Sequence, residues 1–358
     1  MFEVRRIKVS FSHTRLLRIF SIICKYAYEH HGTIIPNVDC PQIVDEIKNR
    51  FGGRYRKPSI IIDYLKTAEA MGLLSSYLGR RFFLTDYGLL IACGVLEDDL
   101  NNLYLSSFEK MFYLQTLIRK DLDYLYVIST ILPKFQFLIK GALQVLFMSR
   151  SRLGSLEKIR EEFKEKLKQR IDSLYKSAEG RKLLTKVDEW KERTLNHRIS
   201  SRIFWLVELM FEDHFVPKAI DKYTDEIIQK VERLHESLDK IEFSINYDEL
   251  VDNIFPEIYL YTFGIKTKAD IDNNLIKNEI KKNISEYWEK MSSLEIKNFG
   301  NRISALPFLL LLQMKFLSLG IALSMDTIIK FFRKEMTNEG YILVWRRDFH
   351  SGYIEKIF

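Results

Sequence analysis

Apolar residues recurring every three or four positions dominate the middle of this chain and leave it little choice but helix. Leu156, Ile159, Phe163, Leu167, Ile171 and Leu174 repeat in this way through residues 155–177. Ile227, Val231, Leu234, Leu238 and Ile241 alternate steps of four and three, the spacing of a coiled-coil seam. A strand would need alternation with period two, which neither segment shows. Residues from about 97 to 300 therefore read as almost continuous helix, and the chain has only seven prolines to interrupt it. Such a seam packs either on another helix of the same chain or across a dimer, and a homodimer is expected. The charges interleaved at 161–166 read as a solvated helix face.

Composition narrows the partners. With 47% hydrophobic and 29% charged residues the chain is folded protein rather than disordered. A net charge of +7 suits a polyanion, and because acidic residues nearly match basic ones, where the excess sits matters more than its size. Cys24, Cys40 and Cys93 are scattered and odd in number, which argues against a disulfide framework or a structural zinc site. No cofactor or metal is expected. The first residues lack the apolar core of a signal peptide. Residues 305–325 are apolar but contain Pro307, Gln313, Lys315 and Gly320, so they read as a buried pair of helices and not as a membrane span. The expected location is cytoplasmic, on the nucleoid.

The N-terminal region has a different texture. Residues 12–31 read as a helix with Leu16, Ile19, Phe20 and Ile23 on one face and Gly32 just past its end. A short extended piece follows at 33–35. Asp39 is the expected N-cap of a helix running to about 51, with Pro41 in its first turn. After Gly52-Gly53, a third helix is predicted from Pro58 to Met71, ending at Gly72. Residues 73–78 and 81–84 flank Gly79-Arg80 as a hairpin, and Thr85 or Asp86 caps another helix through Leu90.

The run Ile61-Ile-Asp-Tyr-Leu65-Lys-Thr-Ala68-Glu69-Ala-Met-Gly72-Leu73-Leu74, followed by Leu84-Thr85-Asp-Tyr-Gly88-Leu89, resembles winged-helix DNA-binding domains. Those families end a recognition helix in Leu-Glu-x-x-Gly-Leu, add a short wing, and open a final helix with Leu-Thr-x-x-Gly. The departure is Ala68, where they usually place Leu. The resemblance implies a helix-turn-helix over residues 1–96 that binds double-stranded DNA. Arg54, Arg56 and Lys57 precede the recognition helix, whose N-terminus favours a phosphate. Arg80 and Arg81 stand at the wing, and Arg5, Arg6 and Lys8 form a basic arm. Ser59, Ile60, Ile62, Asp63, Lys66 and Thr67 are predicted on the exposed helix face. That face lacks Arg, Asn or Gln for bidentate base contacts, so base reading there is limited. Ile60 and Ile62 suit thymine methyls or a protein surface.

The C-terminus is predicted to repeat the pattern over residues 301–358. Ser324 caps a helix through Ile328, Ile329, Phe332 and Met336 that ends at Glu339-Gly340, and residues 341–347 and 353–357 form a hairpin. Lys330, Arg333, Lys334, Arg346 and Arg347 place basic charge on this helix and wing. Two such modules around a helical middle (97–300) resemble the archaeal winged-helix replication initiators related to the eukaryotic origin-licensing factor. The fold expected is mainly α, with an N-terminal winged helix-turn-helix, a long helical middle and a C-terminal winged helix. The expected function is duplex-DNA binding without enzymatic activity, as a replication initiator or transcriptional regulator. One alternative is a nuclease of a defence or mobile-element system, for which Glu295-Ile-Lys297 with Glu257 is the nearest match to a metal-dependent core. Another is an adaptor whose winged helices bind protein. Neither a P-loop nor a G-x-G-x-x-G is present. Glu208, Glu212 and His214 near Asp213 read as an ordinary charged helix end.

Overall fold

The structure is a computed structural model that describes residues 15–51, 57–102, 104–148, 153–175, 178–212, 214–241, 247–268, 273–292, 301–347 and 350–357. The first module runs α1 (Arg18–Glu29), β1 (Thr33–Ile34), α2 (Pro36–Phe51), α3 (Pro58–Met71), β2 (Leu74–Tyr77), β3 (Arg81–Leu84) and α4 (Asp86–Gly94). Its antiparallel sheet has the order β1-β3-β2, with Ile34 opposite Phe82 and Leu74 opposite Leu84. This is the winged-helix arrangement. After the short α5 (Glu97–Leu100), the middle holds α6 (Ser107–Ile131), α7 (Gln136–Phe147), α8 (Glu157–Leu174), α9 (Ala178–Asp188), α10 (Glu192–Met210), α11 (Ile220–Asp239) and α12 (Tyr247–Phe263). The last stretch runs α13 (Asn273–Ser292), β4 (Arg302–Ser304), α14 (Ala305–Ser318), α15 (Met325–Met336), β5 (Tyr341–Arg346) and β6 (Ser351–Lys356), with sheet order β4-β6-β5. The fold is mainly α with a small three-stranded sheet near each terminus. The two terminal units share one topology, helix–strand–helix–helix–strand–strand, and one strand order.

Local chemistry accounts for the elements. Gly72 ends α3 at φ 80°, a left-handed conformation that costs glycine little. Thr85 caps α4 by accepting the Gly88 amide at 3.1 Å, while its hydroxyl donates to the Gly72 carbonyl at 2.6 Å. A Cβ at position 88 would lie 2.1 Å from the Leu73 carbonyl oxygen, so the Leu-Thr-x-x-Gly pattern records a close backbone approach between wing and helix. Two expectations need correction here. α2 begins at Pro36, upstream of Asp39, whose carboxylate reaches back from inside the helix to accept the Ile35 amide at 2.5 Å. The apolar stretch 305–325 is one helix, α14, ended by Gly320 at φ 75°, with the next helix starting only at Met325. Among the described residues no single helix is long and apolar enough to cross a membrane.

The helix before residue 301 also packs on the second module. α13 presents Ile276, Ile280, Ile284, Tyr287 and Met291 as a buried stripe against α14, α15 and β4, and it occupies the place that α1 holds in the first module. Its apolar spacing matches that of the helices before it, so periodicity alone assigns it to the middle region. The predicted seam is internal: Ile227, Val231, Leu234 and Leu238 are fully buried where α11 packs on α6, α7 and α12. The Leu156–Leu174 stripe packs mainly on α6, α9 and α10.

α6 is the hub. A capping box between Ser106 and Glu109 starts it, and a break at Asp121 (φ −133°) bends it. It carries Glu109, Gln115, Arg119, Asp121 and Asp123 in buried positions. Arg202 of α10 grips Asp121 through two bonds of 2.7 and 2.8 Å, and Arg170 of α8 bonds Asp123 at 2.8 Å. Arg18 of α1 meets Glu109 at 2.6 Å. The start of α1 is completed from elsewhere in the chain. The Tyr64 hydroxyl accepts the Arg15 and Leu16 amides at 3.0 and 3.2 Å, and Glu208 of α10 accepts those of Leu17 and Arg18 at 2.7 and 3.4 Å. α1 is thus as much part of the helical body as of the first module.

Burial pushes Glu208 from the ordinary 4.5 up to about 8, against the opposing pull of the Leu17 and Arg18 amides and the Arg18 guanidinium. Between 4.5 and about 8 the folded protein holds a proton that the unfolded chain has released, so this site makes stability fall as pH rises through that window. Glu208→Gln should flatten the decline of melting temperature over the same range. An unchanged slope would assign the decline to another group. Val231→Asp with Leu238→Asp should abolish cooperative unfolding, because two unpaired charges buried in a core cost more than about 3 kcal/mol together. A folded, soluble variant by circular dichroism and light scattering would contradict the internal seam.

Candidate nucleic-acid interface

The recognition helix of the first module, α3, opens at Lys57, which provides no side-chain cap, with Pro58 at the first helical position. Lys57, Ser59 and Lys66 are exposed, and Asp63 and Glu69 share the open side of the helix with Lys66. This face is mixed in charge. Ile60 and Ile62 are half-buried against the core, and Thr67 is buried, donating to the Asp63 carbonyl at 2.9 Å. Thr67 therefore leaves the set of surface residues predicted for this helix; the 3.6-residue turn brings it round to the side of Ala68 and Met71. Arg80 and Arg81 are exposed on the wing, with no ion-pair partner among the described residues. Arg5, Arg6, Lys8, Arg54 and Arg56 lie outside the described residues, as do Glu295 and Lys297.

The second module divides its charge differently. α15 is capped by Ser324, which accepts the Thr327 amide at 3.2 Å, and Asn253 of α12 accepts the Asp326 amide at 3.0 Å. Its N-terminus is thus closed by protein. Phe332, Ile328, Ile329 and Met336 face inward, while Lys330, Arg333 and Lys334 project from the open side. Glu335, the nearest acidic side chain on the helix, is drawn to Lys277 of α13 at 2.9 Å and stands 3.9 Å from Lys334. The open face of α15 is accordingly basic where that of α3 is mixed.

The wings contrast in the opposite sense. Arg346 is exposed, but Arg347 is committed to Asp326 at 2.9 Å and Glu249 at 3.5 Å. His350, in the turn between β5 and β6, has left-handed φ 45° and sets Nε2 2.7 Å from the Asp252 carboxylate. Asp252 is wholly buried on α12, where it also bonds Arg119 of α6 and accepts from Gln115 at 2.9 Å. The second wing is therefore held to the body through Arg347, while among the described residues no ion pair ties down the first. Sequence reasoning placed Arg347 with the surface cations, since nothing in the hairpin pattern signals its acidic partners on α12 and α15.

The two modules touch. α4 packs on α14, and the Ser304 hydroxyl donates to Asp86 at 2.8 Å. The Tyr28 hydroxyl of α1 donates to the Lys290 carbonyl at 3.3 Å, and Lys290 donates to the Cys93 carbonyl at 3.4 Å. The 264 residues between Arg81 and Arg346 do not hold the wings apart as an extended spacer. They wrap back and bring the modules together.

Removing Asp252 tests how the second wing is held. Asp252→Ala strands Arg119 in a buried site and should cost about 3–5 kcal/mol in chemical denaturation. His350→Gln should cost under about 1 kcal/mol, because the Arg119–Asp252 pair survives. Equal losses from the two would show that the wing contact, not the buried pair, carries the energy. No family model, curated protein or solved structure matches the chain.

Proposed function

We propose that the protein binds duplex DNA as a single chain with two unlike contacts, the recognition helix of the second module and the wing of the first. The observation that carries this reading is the placement of unpaired cations. Lys330 and Arg333 on α15 and Arg80 and Arg81 on the first wing are exposed without ion-pair partners among the described residues, as are Lys57 and Lys66 on α3 and Arg346 on the second wing, while Lys277, Lys281 and Arg347 are tied to carboxylates. Exposed cations held on rigid elements suit phosphates, whose contacts set affinity and register. Arg333 also supplies an exposed guanidinium, the group suited to a bidentate contact with guanine, which the α3 face lacks. Because the seam of α11 is consumed inside the chain, the homodimer expected from it is not part of this reading. A helical body with a winged helix at each end supports, by resemblance, an initiator or a transcriptional regulator.

Fluorescence anisotropy with a labelled duplex across a salt series tests the proposal. Lys330→Ala with Lys334→Ala, and separately Arg80→Ala with Arg81→Ala, should each weaken binding to every duplex and flatten the log-affinity against log-salt slope by roughly 0.9 per lost phosphate contact. Arg333→Ala should in addition reduce discrimination between duplexes by about 1–3 kcal/mol at one position. Affinity that is absent, or indifferent to salt and to all three changes, would overturn the DNA reading.

A further inference from the structure

The tip of the first wing exposes apolar surface that the fold does not use. Leu78 and Tyr77 are 76% and 69% exposed, the two most exposed large hydrophobic residues described, and they are adjacent. The Tyr77 carbonyl accepts the Arg80 amide at 3.1 Å around Leu78 and Gly79, both at positive φ (52° and 65°), the signature of a type I′ turn. Asn, Asp or Gly is the usual first central residue of such a turn, and leucine there is uncommon. Burial gives no reason for it, because Leu78 packs against nothing in the core. Arg80 and Arg81 follow at once, so the tip joins two apolar side chains to two free cations.

Building on the duplex-DNA reading above, we propose that this tip is a wedge: Arg80 and Arg81 hold it at the minor groove, and Leu78 enters a base step while Tyr77 stacks on the base it exposes. The chemistry matches on each count. A narrow minor groove concentrates negative potential that draws arginine. Apolar side chains such as leucine, inserted between base pairs, unstack and kink the duplex. Aromatic rings stack on freed bases regardless of sequence. The patch is also far smaller than the roughly 800 Å² per partner that a stable protein interface needs. The second wing makes the comparison internal to the molecule: there Arg347 is tied to Asp326 and Glu249, whereas among the described residues no ion pair holds the first wing.

The experiment uses the full chain and duplexes of about 30 base pairs carrying 2-aminopurine at flexible pyrimidine–purine steps, with end-to-end energy transfer reporting bending. Wild-type protein should raise 2-aminopurine fluorescence roughly two-fold or more at one step and shorten the end-to-end distance. Leu78→Asn, which suits the left-handed turn and should melt at the wild-type temperature, should bind within about three-fold of wild type yet lose both signals. Tyr77→Ala should lower the fluorescence change. Wild-type binding without unstacking or bending, or signals that persist in Leu78→Asn, would overturn the wedge and leave the DNA reading intact. Absence of any salt-dependent DNA affinity would overturn both.

Discussion

Four buried guanidinium–carboxylate pairs made by α6 hold this structure in register. Glu109, Arg119, Asp121 and Asp123 on that helix meet Arg18 of α1, Asp252 of α12, Arg202 of α10 and Arg170 of α8. The carboxylates of these pairs are essentially inaccessible to water, as are three of the four arginines. Moving both charges out of water costs nearly as much as their attraction returns, so such pairs add little net stability over apolar packing of the same volume. Breaking one is costly, because the survivor is left buried and alone. Their effect is therefore on arrangement: a helix docked one turn out of place would bury an uncompensated charge. Apolar stripes alone tolerate such slips far better.

Arg119 shows how far this reaches. It pairs with Asp252 and stacks 4.6 Å over the ring of Tyr87 in α4, so it touches the first module directly and, through Asp252, the wing of the second. Gln313 of α14 joins the same site, donating to the Asp252 carbonyl at 2.6 Å. One polar cluster thus sits between the two winged helices and α6. The Arg18–Glu109 pair serves the first module in the same way, beside Glu208, whose carboxyl accepts the Leu17 and Arg18 amides and is pushed by burial up to about 8.

The asymmetry between the modules arises in their surroundings rather than in their topology. Both have the same strand order and a left-handed glycine closing the recognition-helix segment, Gly72 at φ 80° and Gly340 at φ 82°. α12 lies beside the second module, supplying Asn253 to the start of α15 and Glu249 and Asp252 to the wing. Among the described residues no comparable neighbour covers the first wing, and Leu78, Arg80 and Arg81 are exposed. The same fold used twice therefore presents a helix on one side and a wing on the other.

Local order was legible in the residues themselves. Pro58 to Gly72, Thr85 at the start of α4, and Ser324 with Gly340 around α15 each carry their own start or stop chemistry, since caps and left-handed turns act within four residues. The exposed cations at 80–81, 330 and 333–334 were legible too, because the helical and hairpin periods place them away from the apolar stripe. What tertiary structure decided are the relations between distant segments. The α11 seam turned inward because α6, α7 and α12 cover it, and a heptad pattern is identical in either case. α13 joined the second module through its packing on α14 and α15, which its own spacing does not encode. Arg347, His350 and Glu208 found partners 21 to 191 residues away in the chain. A side chain's charge is a local fact, but whether that charge is spent inside the fold or left for a partner depends on what the remainder of the chain brings to it.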